Sequence, residues 1–220
     1  GQTDKNYLQN LLDYKKTLAQ RNALLKYFAL NRTFDKNTLD IYNHQMNELS
    51  KPIFDKRVAF MEEFIPIFKS RYKSISGDKE EIDIEFKSDL NENTLLQLLE
   101  QHLDKDKMLQ FTSVGVHKDD LDFQISGSPI KKFGSQGQQK TFLIALKLAQ
   151  FDFIKQVAGM SPIVLLDDIF DKLDQNRVAQ TIQLFENETA GQIFISDTHE
   201  DRIKEALSAG KSSYELFNLN

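Results

Sequence analysis

The sequence predicts an α/β protein in which a helical arm precedes a parallel-sheet part. Three observations carry this. Apolar residues recur at three-four spacing through the first seventy positions, alternation takes over at Ile82, Ile84 and Phe86, and beyond Gln136 apolar strands alternate with helical segments. A chain of 220 residues with 40% apolar and 28% charged residues is long enough to bury a core. With no cysteine, disulfide frameworks, thiolate metal sites and cysteine nucleophiles are excluded. The longest apolar runs, such as Phe142–Leu146 and Ile163–Leu166, fall far short of a membrane span. The start Gly1-Gln2-Thr3-Asp4-Lys5-Asn6 has no signal-peptide pattern, and Gly1 in place of Met suggests a start made by cleavage or by an artificial boundary.

Taken in order, residues 4–30 read as one helix with a seam at Tyr7, Leu11, Tyr14, Leu18, Leu25 and Phe28, interrupted by Arg21. After a break at Asn31–Asp35 the pattern resumes at Leu39, Tyr42, Met46, Leu49, Ile53, Phe60 and Ile67, with Pro52 and Pro66 expected to kink or divide it. The two segments make an antiparallel αα-hairpin over 4–70, for which two core helices of a bundle are the simpler reading. A strand follows at Ile82–Phe86, then one helix over Thr94–Phe111. Leu121–Ile125 and Pro129–Phe133 form a β-ribbon turning at Ser126-Gly127-Ser128. Next come a helix from Gln136 to Val157, strand Ile163–Leu166, helix Asn176–Phe185, strand Gln192–Ile195, helix Glu200–Leu207 and a final strand near Tyr214–Phe217. The continuous run Ile163-Val164-Leu165-Leu166 suits a strand buried on both faces.

Charge divides the chain in the same way. Residues 1–77 carry net +5 and residues 78–220 net −10, so the overall −5 does not argue against a nucleic-acid partner. Lys15, Lys16, Arg21, Lys26 and Arg32 on the first helix, with Lys51, Lys56 and Arg57 on the second, are candidate DNA-contacting residues or else the solvated faces of a hairpin.

Three places carry candidate chemistry. Ser135, Gln136, Gly137, Gln138 and Gln139 open a helix, where backbone N–H groups and the helix dipole suit a phosphate, though any Gly/Ser helix entry looks like this. Strand Ile163–Leu166 delivers Asp167 and Asp168 at its C-terminal end, where open α/β sheets bind ligands. The first carboxylate can hold magnesium and the second can orient or deprotonate water; the alternative is a pair of solvated loop acids. Strand Gln192–Ile195 ends in Ser196-Asp197-Thr198-His199, and one histidine with two adjacent acids makes an incomplete metal site.

The order of these elements, with Asp171-Lys172-Leu173-Asp174 between the last two, resembles the signature, Walker B, D-loop and switch histidine of the ABC-type ATPases. Together with Gly115-Val116-His117-Lys118-Asp119-Asp120 and Phe133-Gly134-Ser135-Gln136-Gly137-Gln138-Gln139-Lys140-Thr141, it resembles the RecF family of bacterial DNA replication and repair proteins, whose heads are related to those of SMC proteins. No phosphate loop G-x-x-x-x-G-K-[ST] is present: Gly210-Lys211-Ser212 has Glu205 at the first glycine position. The resemblance therefore implies a helical lobe over 1–110, with a strand and helix at 81–111. Residues 111–220 would be the C-terminal half of an ABC-type P-loop ATPase head, unable to hydrolyse ATP without its Walker A half.

In such a family two ATP-loaded heads dimerise. The resemblance implies that Ser135 and Gly137 contact ATP held by the partner subunit, with Gln136, Gln138 and Gln139 in the same motif. It implies further that Asp167 organises Mg2+, Asp168 positions the hydrolytic water, His199 senses the γ-phosphate, and Asp171 and Asp174 lie on the D-loop. Asp168 stands where the wider ABC pattern has Glu, one methylene longer, from which slow hydrolysis is expected. Implied partners are double-stranded DNA, single-strand/duplex junctions, an ATP-dependent homodimer, RecR and RecO, with no membrane. The implied setting is the cytoplasm and nucleoid, in the DNA-damage (SOS) response. Competing readings are the nucleotide-binding subunit of a membrane transporter, disfavoured by the helical hairpin, and a non-enzymatic helical interaction module.

Overall fold

The computed structural model describes residues 4–77, 80–167, 183–184, 192–208 and 213–217. The chain divides into two compact units, 1–69 with 80–133 and 70–79 with 134–220. The segment around Val114 and Val116 packs into the core of the helical unit.

In the first unit, α1 (Lys5–Asn31) and α2 (Lys36–Ser76) form the expected antiparallel hairpin. Asp4 caps α1, its carboxylate accepting the Tyr7 N–H at 2.8 Å. Arg32, with φ 49°, ends the helix in the left-handed conformation, and Asp35 opens α2 by accepting the N–H groups of Asn37 and Thr38. Pairs along the hairpin run in opposite chain directions: Tyr7 with Arg57, Arg21 with Asn43, Leu25 with Leu39.

Of the two outcomes expected at Pro52 and Pro66, a kink or a division, the division does not occur: α2 runs through both. Each proline deprives one carbonyl of its helical donor, and these carbonyls belong to Glu48 and Glu62, both at exposed positions where water can replace the missing N–H. Meanwhile Met46, Ile53, Met61, Phe64 and Phe68 bury a continuous stripe of the same helix.

The region expected as one helix at 94–111 is two, α3 (Leu95–Gln101) and α4 (Leu103–Leu109), broken at His102, whose Nδ1 lies 2.9 Å from the Leu98 carbonyl oxygen. A Thr94/Gln97 capping box starts α3. Strands β1 (Ile82–Lys87), β2 (Asp120–Ile125) and β3 (Ser128–Pro129) form an antiparallel sheet in that order. The tight turn lies at Ser126 and Gly127, both with positive φ, as a two-residue hairpin requires. Its second arm is shorter than expected. Pro129 has no N–H to continue the ladder, and residues 130–133 turn into a short helix, α5 (Ile130–Phe133).

The second unit holds the last turns of α2, α6 (Gln136–Ala158), the parallel pair β4 (Ile163–Asp167) and β5 (Gln192–Ser196), and α7 (Glu200–Leu207). Ile144, Leu148 and Phe151 of α6 pack on Val164, with Ile75, Leu166, Leu184 and Ile193 around them. One face of the pair is therefore covered. Within these 220 residues the other face is open, with Leu165 73% exposed and Ile163 62%. A run of four apolar residues fits either case, and only the packing partner decides. Residues 213–217 are described and form no strand, whereas the expected helix 176–185 falls mostly outside the described residues.

Candidate functional site

Ser135 is the N-cap of α6. Its Oγ accepts the Gln138 N–H at 3.2 Å and Gln138 Oε1 accepts the Ser135 N–H at 2.7 Å, a reciprocal capping box. Gln139 Nε2 donates to the Gly134 carbonyl at 2.9 Å, tying the loop to the first helical turn. Because Oγ acts as an acceptor in the cap, the hydroxyl proton is still able to donate to an anion. The positive end of a 23-residue helix favours negative charge there. Farther along, α6 is clasped by the end of α2: Arg71 grips the Asp152 carboxylate with Nε and Nη2, and the Tyr72 ring meets Phe142 edge-on at 6.1 Å. That Arg71–Asp152 fork was not read from the sequence, since nothing local links residues 81 positions apart.

The parallel register pairs Asp167 of β4 with Ser196 of β5, so the C-terminal ends of the two strands bring Asp167 and the Ser196–His199 segment together. Ser196 Oγ donates to Asp167 Oδ1. Just beyond, Asp197 Oδ1 accepts the His199 N–H at 2.5 Å, which makes a tight Asx-type turn into α7. His199 Nδ1 lies 2.8 Å from Thr198 Oγ1 and 3.7 Å from Asp197 Oδ1. The His199 side chain is 61% exposed. Asp168, Asp171 and Asp174 lie outside the described residues. Among the described residues no group of three or more His, Cys, Asp or Glu side chains is arranged to hold a metal. An exposed carboxylate of Asp167 beside one hydroxyl fits magnesium that keeps most of its shell as water and phosphate oxygen.

The candidate DNA-contacting residues separate into two groups. Lys15, Lys16, Lys26 and Arg32 are exposed on the hairpin, as is Lys51, which pairs with Asp55 at 2.9 Å. Lys56 is exposed and pairs with Asp4 at 3.0 Å. Arg21 is not on the surface at all. Its guanidinium is fully buried, with Nη1 2.7 Å from both Asp106 Oδ2 and Thr112 Oγ1 and Nε 2.7 Å from Asn43 Oδ1. A signal for this was present: Tyr14, Leu18, Arg21, Leu25 and Phe28 keep the four-three spacing of the seam, so the arginine occupies a core position rather than interrupting the stripe. Arg57 is likewise withdrawn from the DNA candidates. It is half-buried, donating from Nη1 to Asp119 Oδ2 and to the Val116 carbonyl and from Nε to Tyr7 Oη.

These two arginines hold the segment 112–119, and a buried aromatic pair completes it. His117 Nε2 faces the Thr112 carbonyl at 3.1 Å, which can only accept, so Nε2 carries the proton and Nδ1 accepts from Tyr14 Oη at 3.1 Å. Burial depresses the His117 pKa below its ordinary value and pushes that of Tyr14 far up, so both groups are neutral near pH 7. Gly115 lies between them with φ +118°, where an added Cβ would stand 2.6 Å from Tyr14 Oη and 2.8 Å from Leu95 Cδ1.

No family model matches the sequence. Over its whole length, however, the chain is 55% identical to the DNA replication and repair protein RecF of Flavobacterium johnsoniae and 44% identical to that of Bacteroides thetaiotaomicron. The chain belongs to the RecF family. It covers 61% and 59% of those two relatives, so it spans about three fifths of the length of the curated RecF proteins it matches. The fold agrees. A structure of the recombination mediator protein RecF with ATPrS in the RecFOR pathway superposes with a TM-score of 0.79 at 27% identity, covering 90% of this chain and 55% of that one. A second, with ATP, gives 0.78 at 28%. The architecture is thus that of the RecF ATPase fold with its helical arm.

Proposed function

We propose that the chain acts in DNA replication and repair as part of an ATP-binding protein that engages DNA through its helical arm. The observation that carries the nucleotide half is the parallel pairing of Asp167 with Ser196, with His199 at the end of the same strand. The capped, anion-tolerant start of α6 at Ser135 supports it, as does membership of a family with ATP-bound RecF structures. In this reading Ser135 and Gly137, with Gln136, Gln138 and Gln139, meet the γ-phosphate of an ATP held by a second subunit, joining two heads. Asp167 holds Mg2+, which would offset phosphate charge when bound. His199 Nε2 faces the terminal phosphate, while Asp168, Asp171 and Asp174 serve as water-positioning and D-loop acids. Turnover requires a Walker A loop, which these 220 residues do not contain.

For DNA, the exposed Lys15, Lys16, Lys26 and Arg32 supply a backbone-contacting surface, joined by Lys51 and Lys56. RecR and RecO are the partners this reading gives, in recombinational repair of single-strand gaps during the DNA-damage response, in the cytoplasm at the nucleoid. Sizing of the full-length protein with and without a slowly hydrolysed ATP analogue tests the dimer. The expected result is an ATP-dependent dimer that Ser135→Arg abolishes while leaving nucleotide binding intact. A Ser135→Arg protein that still dimerises would remove the signature role.

A further inference from the structure

The tip of the hairpin exposes rings among cations. Tyr27 is 57% exposed and Leu30, one turn on along α1, is 83% exposed. Left-handed Arg32 reverses the chain so that Thr33 N donates to the Phe28 carbonyl at 3.1 Å and Phe34 folds back onto Phe28, ring centroids 5.4 Å apart. Tyr27 stands 6.3 Å from the same Phe28, so the buried Phe28 ring neighbours two exposed ones, Tyr27 at 57% and Phe34 at 42%. Lys107 from α4 stands over Phe34 at 4.7 Å, and the exposed Lys26 and Arg32 lie within two residues of Tyr27 and Phe34 along the chain. Of the nearby carboxylates, Asp35 is committed to capping α2 and Asp104 pairs with Lys107 at 3.4 Å.

We infer that this tip is a stacking platform for unpaired nucleobases, so that the arm distinguishes a single-strand/duplex junction from uniform duplex. The inference rests on the DNA reading above and assigns junction recognition to particular residues. Duplex DNA offers only phosphates to the lysines of the shaft, whereas an unpaired base offers a π-face to Tyr27 or Phe34 and leaves its phosphate to Lys26 and Arg32. An apolar protein partner is the competing occupant of an exposed patch. Cations set among the rings disfavour it, because the centre of a protein interface is depleted in charge.

The experiment is fluorescence anisotropy of the full-length protein on a blunt duplex and on the same duplex with a thymidine overhang. Tyr27→Ala with Phe34→Ala should keep the blunt-duplex affinity and lose about tenfold on the overhang. Tyr27→Trp should restore overhang binding and show quenching, beyond any seen in the wild-type protein, when oligo(dT) is added. An unchanged overhang affinity, or an equal loss on both substrates, overturns the assignment. So does a defect seen only in complex with RecR or RecO, which would make the tip a protein-docking surface. Failure of the DNA reading looks different: the wild-type protein then binds neither substrate, or Lys15→Glu with Lys16→Glu leaves blunt-duplex binding intact.

Discussion

Arg21 and Asp106 stand 85 residues apart in the chain and 2.7 Å apart in the fold, both fully buried. The pair joins α1 to α4, and Asp106 Oδ1 also accepts from the N–H and hydroxyl of Ser113 at 2.9 and 2.7 Å. A buried charge left without its partner is costly, whereas replacing both by apolar groups can be nearly neutral. Arg21→Met alone should therefore lose about 3–5 kcal/mol in urea unfolding, and Arg21→Met with Asp106→Leu should recover part of it, because Ser113, Asn43 and Thr112 then still lack the partners that Asp106 and Arg21 supply. If the double variant is no more stable than the single ones, the pair is not the source of the loss.

Gly115→Ala should destabilise the helical unit by about 3 kcal/mol, combining the backbone strain of a positive φ with the clash against Tyr14 Oη and Leu95. Gly127→Ala is the matched control, since φ is +73° there but nothing lies within 4 Å; about 1 kcal/mol is expected. Thermal unfolding of the two variants separates strain from crowding.

The Tyr14–His117 contact predicts a pH dependence with a definite sign. The folded-state pKa of His117 is lowered, chiefly by burial, so above about pH 6.5 the imidazole is neutral in both states and contributes no slope. Below that, the unfolded chain takes up a proton that the folded chain resists. Stability should fall as the pH drops from about 6.5 toward the folded-state value, and His117→Gln should flatten that part of the profile. Urea midpoints between pH 7.5 and 5 measure it.

Ser135 has two separable roles. Ser135→Ala removes the cap and should cost about 1 kcal/mol, while Ser135→Asp keeps a capping oxygen and should hold stability near wild type. The same Asp places a negative charge where the proposed phosphate sits, so ATP-dependent dimerisation should vanish. Retained dimerisation in Ser135→Asp would leave Ser135 as a cap alone.

For the shaft of the hairpin, Lys15→Glu with Lys16→Glu should weaken duplex binding and reduce the log-log salt slope by about two, one for each phosphate that is no longer neutralised. Arg21 cannot serve in such a series, because any change in DNA binding would report unfolding of its buried network.

Local pattern carried much of this molecule. The hairpin, the β2–β3 turn at Ser126-Gly127, the capped start of α6 and the two strands ending in Asp167 and Ser196 are each written in a few adjacent residues, because caps, turns and amphipathic periods are short-range physics. Family membership was equally legible, since it rests on residue order. What required the tertiary structure were the pairings across long stretches of chain. Whether Arg21 meets water or Asp106, whether Arg57 meets phosphate or Asp119, and which face of β4 is covered depend on what packs opposite. A positive charge on a helix looks the same in sequence at the surface and in the core. Its desolvation, and the partner that offsets it, exist only once the fold has brought distant residues together.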